Sequence, residues 1–309
     1  MCMNKETTGF ILWKRLLKNE VLRRLMQLLT ILSLLILVCM GVGLILKSLP
    51  ILQTHSVWEL LTSSVWKPMK HSYGMRSFIL SSIYVTALSI IISTPVSLLT
   101  ALFLTEKVGK RLKRILFPVL DILAGVPSVV YGLWGTLVIV PWIADDLGPR
   151  FVEYTSGYSL LAGGIVLSVM ILPLLTSLFI EILSSIPKEY AEASMSLGAT
   201  RLQTVWYVIL RMALPGIIAS VVLAVSKAFG ETLAVLMVCG NTVGIPHSLF
   251  DSAYPLPALL ANNYGEMLSL PEYESALMFA ALVMFVLILV FNIVSRLVLR
   301  NVEKKFKLS

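Results

Sequence analysis

Six apolar runs, at roughly 25–46, 78–104, 115–143, 159–183, 207–239 and 276–298, leave this chain little choice of architecture. About 20 apolar residues carry a helix across the hydrocarbon core. Within lipid, only helices and closed barrels satisfy their own backbone hydrogen bonds. The runs therefore predict an all-α, multi-pass membrane protein with six transmembrane helices. Composition agrees: 57% of residues are apolar and 14% charged, against about 25% charged in an average soluble domain. Leu25–Leu46 is too long for the apolar core of a signal peptide. Its charged leader is also too long, and no small-x-small site follows, so it reads as an uncleaved span.

The net charge of +8 raises nucleic acid as a partner, but the basic residues cluster beside the spans. Membrane orientation accounts for them better. With the N-terminus in the cytoplasm, the inside segments hold nineteen Lys and Arg, and the outside segments five. Two of these clusters are Lys107, Lys110, Arg111, Lys113 and Arg114, and the tail residues Arg296, Arg300, Lys304, Lys305 and Lys307. Both termini are thus expected in the cytoplasm, in a plasma or inner membrane.

The expected organisation is a leader (1–24), a peripheral first helix with an exterior loop (25–77), a core of spans two to six (78–299) and a basic tail (300–309). The first span has no internal charge or proline. The third carries Pro118, Asp121, Gly125, Pro127, Gly132 and Gly135, so it must kink or break. A Gly-rich packing face is the other reading of it. Segment 240–275 has no Lys or Arg and reads either as a docking loop or as a solvated acidic one.

No enzyme site assembles. Gly109-Lys110-Arg111 lacks the glycine spacing and the hydroxyl of a phosphate-binding loop. His55, His71 and His247 fall in exterior loops, outside any metal-ligand motif, and read as surface residues. Cys2, Cys39 and Cys239 show no metal, redox or disulfide spacing. No cofactor is expected, and energy from ATP must come from another chain.

The fifth span holds a cation and an anion, Lys227 and Glu231, at i, i+4, so they share one face of the fifth helix. Ser220 lies roughly on that face, and Gly216 and Ser220 form a small ridge suited to helix contact. Lys227 is about 18 Å along the helix from Pro215, near mid-bilayer. A lone charge there costs roughly 2.5–3.5 kcal/mol, so such residues normally face a bundle interior or a wet path. Lys227, Glu231, Ser220 and Asp121 are the candidate path residues. A self-neutralising pair that only holds helices together is the alternative for the first two, and Asp121 could simply reach the interface.

Before Pro215, Glu189–Leu214 is too amphipathic for a simple turn and reads as helix, Gly198 break, helix. Apolar residues exposed there suit a protein partner or a lipid surface. EASMSLGATRLQTVWYVILR resembles the EAA loop of ABC-importer permeases, with matches at Glu192, Ala193, Ser194, Gly198, Val208 and Leu210. Arg211 replaces the expected proline, and Leu214-Pro215 follows. With LLTALFLTE (98–106), LAGVPSVVYGLWG (123–135) and AFGETLAVLMVCGN (228–241), the chain is similar to the C-type permease of phosphate-specific ABC transporters.

That resemblance implies a type I (MetI-like) importer permease. It implies pairing with an A-type phosphate permease subunit, two copies of a cytoplasmic ATPase and an extracytoplasmic phosphate-binding protein. The loop of about 187–215 would couple to the ATPase through Glu192, Ala193, Ser194, Gly198, Leu214 and Pro215. Relatives favour arginine where this chain has Lys227. Lysine keeps the charge without the bidentate geometry. Other oxyanions remain a rival cargo. A secondary transporter predicts an internal repeat, and none is evident between 25–143 and 159–298.

Overall fold

Helix α6 (Leu160–Ser185) is the axis around which the others pack. Over half of its most apolar window (56%) is buried, against 28% or less in every other candidate span. Its small residues explain why. A Cβ at Gly164 would lie 2.4 Å from the Leu88 side chain, and one at Gly163 would lie 2.3 Å from Cys239 Sγ. Helix α3 (Arg76–Glu106) answers with Ser82, Thr86, Ser89, Ser93 and Ser97, all buried at helical spacing. Ser97 donates to the Leu172 carbonyl of α6 at 3.3 Å. In lipid, such small faces replace the hydrophobic effect as the means of close approach.

This computed structural model describes the backbone over residues 5–265 and 271–307. The side chains of Lys5, Lys14, Arg15, Lys18, Lys110, Glu266, Lys304, Lys305 and Lys307, and all of Cys2, lie outside the described residues. Six helical stretches are long and apolar enough to cross a membrane: 20–54, 76–106, 128–150, 160–185, 201–229 and 271–297. Helix α1 (Lys5–Thr54) is peripheral, as its sequence predicts. Only 6% of its span window is buried, and it runs antiparallel along α12 (Pro271–Lys307). Gly41 faces Phe285, and the Ile51 amide donates to Ser275 Oγ at 2.9 Å.

The third span departs from its expected limits of 115–143. An amphipathic helix, α4 (Lys110–Gly125), ends at Val126, and α5 (Ser128–Trp134) begins after Pro127. Proline lacks an amide donor and forces the residue before it out of the helical region, and Val126 is extended at φ −64°, ψ 129°. α5 then continues through two π-helical stretches, Gly135–Ile139 and Trp142–Leu147. The fifth span breaks as well. Helix α9 (Leu210–Phe229) stops before Gly230, and α10 (Leu233–Val238) follows.

Six spans bring both described ends of the chain to one end of the bundle, here the basic end. It also holds the α3–α4 turn and the hairpin of α7 (Lys188–Ser196) and α8 (Arg201–Thr204). The opposite end is a cap with its own core. There α2 (Val57–Thr62), the small hairpin β1 (Trp66–Lys67)–β2 (Ser72–Tyr73) and α11 (Leu256–Asn263) pack on α1, α3 and α12. Trp66 meets Tyr73, Phe78 and Tyr273 edge-on, with ring centroids 5.3–5.9 Å apart. Burial, with Glu272 adding to it, pushes the Tyr73 phenol pKa up. His71 Nδ1 lies 2.6 Å from Glu272 Oε2, a partner 201 residues away that no local motif announces.

The structure also settles the two readings of 240–275 in part. Residues 253–259 are buried and pass inward between α3 and α12. The Leu256 amide donates to Ser82 Oγ at 2.8 Å and the Tyr254 amide to Ser81 Oγ at 3.3 Å. This stretch is therefore not a solvated loop.

Candidate functional site

The break between α9 and α10 separates the two charges that the sequence places on one face. Gly230, without a Cβ, weakens the helix there, and Thr232 Oγ1 donates back to the Gly230 carbonyl at 3.4 Å. A β-branched residue that binds local backbone in this way competes with helix continuation. Lys227 thus sits in the last turn of α9, exposed on the surface of this chain. Glu231 sits in the unwound stretch and is half-buried.

Glu231 lines a small cavity together with Ser82 and Thr86 of α3, Phe229, Val235 and the prolines Pro255 and Pro257. Among the described residues, no ion pair joins Lys227 to Glu231, nor either to another side chain. The expectation that the two charges share one helical face is therefore corrected, and the alternative of a self-neutralising pair finds no ion pair behind it. The C-terminal end of α9, whose partial negative charge favours a cation in the last turn, offsets only part of the cost of Lys227.

The other two candidate path residues lie elsewhere. Ser220 is 5% exposed and donates to the Gly216 carbonyl at 3.0 Å. A Cβ at Gly216 would meet Ile182 of α6 at 2.8 Å, so this ridge is a helix contact. Asp121 is on α4, exposed, in a groove of about 340 Å³ shared with Ser177, Glu181 and Ser184 of α6. The structure brings Lys227 and Glu231 near one break and keeps Ser220 and Asp121 out of it.

At the basic end, α7 and α8 form the helix–break–helix that the sequence predicts. Gly198 takes φ +88°, a left-handed conformation that glycine adopts without penalty. Thr200 caps α8: it receives the Gln203 amide at 3.3 Å, while Gln203 Oε1 accepts the Thr200 amide at 2.8 Å. This capping box is legible in the sequence as Thr-x-x-Gln. Ser194 Oγ meets Thr204 Oγ1 at 3.0 Å, clipping the two helices together. Glu192 and Ala193 face outward, and Leu197 is 89% exposed at the tip. Leu214 is exposed and Pro215 half-buried, both inside α9. From Arg201 to Phe229 the backbone is one helical run, with a π turn at Val205–Ile209. Pro215 lies within this run.

Residues 93–308 match the family described as "Binding-protein-dependent transport system inner membrane component". The chain belongs to that family. It is an ABC importer permease, a multi-pass inner-membrane protein and not an enzyme. Similar proteins include the "Probable ABC transporter permease protein YqgH" of Bacillus subtilis, 46% identical over 67% of this chain and 66% of the relative. The "Probable phosphate transport system permease protein PstC" of Methanocaldococcus jannaschii is 34% identical over 80% of this chain and 83% of its own. The PstC protein of Xylella fastidiosa is 30% identical over 79% of each.

Solved structures share the permease's fold. A chain of a bacterial alginate ABC transporter, in complex with alginate pentasaccharide-bound periplasmic protein, aligns with TM-score 0.63 and 16% identity over 93% of this chain and 98% of that one. A chain of the inward-facing MetNI methionine transporter gives TM-score 0.55 and 19% identity over 77% and 99%.

Proposed function

We propose that this permease is the C-type subunit of an ATP-driven phosphate importer, and that its share of the translocation path runs past the α9–α10 break. The observation that carries this reading is Lys227, an exposed cation deep in a largely apolar span, next to unwound backbone. Irregular backbone at membrane depth is tolerated where it is buried in protein or lines a wet cavity. A cation there without a carboxylate partner suits a transient anion. The names of the relatives at 30–34% identity supply phosphate as the anion.

In this reading a related A-type permease faces Lys227 across the path, and an extracytoplasmic phosphate-binding protein delivers the cargo at the cap end. Both termini are cytoplasmic. Two copies of an ATPase engage the α7–α8 hairpin through Glu192, Ala193 and the exposed Leu197 tip, with Gly198 setting its turn. Motion of the hairpin reaches the break along the single helical run that ends at Phe229, past Leu214 and Pro215. Lys227 offers the positive charge. Glu231 braces the break against α3 and the inward segment at Pro255–Pro257, a different part from neutralising the lysine. Ser220 and Asp121 have no role in this path.

The test is phosphate uptake by a Lys227→Ala complex that still assembles. Uptake should fall at least about tenfold, equivalent to about 1.4 kcal/mol, and Lys227→Arg should restore most of it. Normal uptake by the alanine variant would sink the path role. Competition by sulfate or molybdate in the same assay separates phosphate from other oxyanions. A cysteine at Ala193 should cross-link to the ATPase, and no proximity in an assembled complex would count against the coupling role.

A further inference from the structure

Helix α4 carries more exposed apolar surface than a turn between two spans requires. Leu116 and Leu120 pack on the bundle, and the groove shared with Ser177 and Glu181 shows the helix lying along the basic half of α6. Its other apolar side, Leu112, Ile115, Val119 and Ile122, is exposed at i, i+3, i+7 and i+10, a continuous stripe. Beside the stripe, at the N-terminal turn, stand Arg111 and Arg114, with Lys107 just before them, all exposed.

The charges in this region are not alike. Lys113 Nζ donates to the Thr105 carbonyl at 3.0 Å and ties the start of α4 to the end of α3. Among the described residues, no carboxylate lies within ion-pair distance of Lys107, Arg111 or Arg114. Arg23 and Arg24 of α1, at the same end of the bundle, are both held by Glu20, at 2.8 and 3.3 Å. The α4 cluster therefore has charge to offer, whereas Arg23 and Arg24 do not.

From this juxtaposition we infer that α4 is a binding surface for an anionic phospholipid. The stripe of Leu112, Ile115, Val119 and Ile122 takes the acyl chains, and Arg111, Arg114 and Lys107 take the headgroup phosphate. A basic rim on an apolar helical face is the arrangement by which interfacial helices select anionic over zwitterionic lipid. A protein partner would have to match apolar residues spread over three turns and leave the guanidinium groups in the headgroup layer. The lipid satisfies both with one molecule. Because α4 packs on α6, which leads through Ile186-Pro187 into α7, the lipid also sits two elements from the coupling hairpin.

The experiment uses the full-length chain in nanodiscs of phosphatidylcholine mixed equally with phosphatidylglycerol, with retained lipids counted by native mass spectrometry. The parent should retain phosphatidylglycerol over phosphatidylcholine, and R111Q/R114Q should lose that preference several-fold. R111K/R114K, keeping the charge, should retain it, as should R23Q/R24Q. Circular dichroism on each variant confirms helix content, so loss of preference is not loss of fold. Equal phosphatidylglycerol enrichment in the parent and R111Q/R114Q would overturn the inference and assign the face to a protein partner. So would equal loss in R23Q/R24Q.

Discussion

The cap end and the basic end of this permease are built on opposite terms. At the cap, side chains far apart in sequence converge: Ser82 holds Leu256, Glu272 meets His71, and Lys47 reaches Glu274 at 3.0 Å. An aromatic cluster fills the space between them. At the basic end, the side-chain hydrogen bonds that shape the α7–α8 hairpin lie within ten residues, and leucine and tyrosine are left in the open. One end is fixed by its own chain, while the other keeps its apolar surface for something else. In an importer that moves, rigidity is thus placed around the break and adaptability at the hairpin.

Two glycines give the sharpest test of that contrast. Gly157, near the cap, has φ +80°, and a Cβ there would lie 2.1 Å from the Val140 carbonyl oxygen. Gly157→Ala combines backbone strain with overpacking and should cost about 3 kcal/mol, read as a large drop in thermal midpoint in detergent. Next comes Ser82→Ala, which leaves the buried Leu256 amide without its acceptor. It should cost roughly 1–3 kcal/mol and speed hydrogen exchange across 253–259. Gly198→Ala has the same sign of φ as Gly157 but open space around its Cβ. It should cost only about 1 kcal/mol, with any functional loss showing in ATPase coupling instead of stability. Smallest is Lys47→Ala, which removes a largely exposed ion pair and should change stability by less than about 1 kcal/mol. If Gly198→Ala unfolds the protein as readily as Gly157→Ala, the distinction between the two ends fails.

The sequence carried the number of spans, the peripheral α1 and the helix–Gly–helix hairpin because each rests on local signals: run length, charge spacing and a lone glycine. It carried the third span only as an irregularity, and Pro127 is where the irregularity became a break. Lys227 and Glu231 misled because i, i+4 spacing means a shared face only while the helix lasts, and an apolar run hides where a helix ends. Gly230 was visible but ambiguous, since glycine also serves packing in membrane helices. The inward course of 253–259 was not legible at all. It depends on hydroxyls of Ser81 and Ser82, over 170 residues earlier, that are indistinguishable in sequence from ordinary packing serines.

The π turn at Val205–Ile209 has a geometric consequence for the lysine far above it. Such a turn winds one residue more than the α-helix it interrupts, and each residue of an α-helix advances about 100° around the axis. Everything beyond Ile209 is therefore rotated by about that angle from where unbroken winding would carry it. Lys227 lies about five turns further on, inside the same rod. Its azimuth, and so which neighbour it confronts, is dialled in beside the hairpin and not at the break.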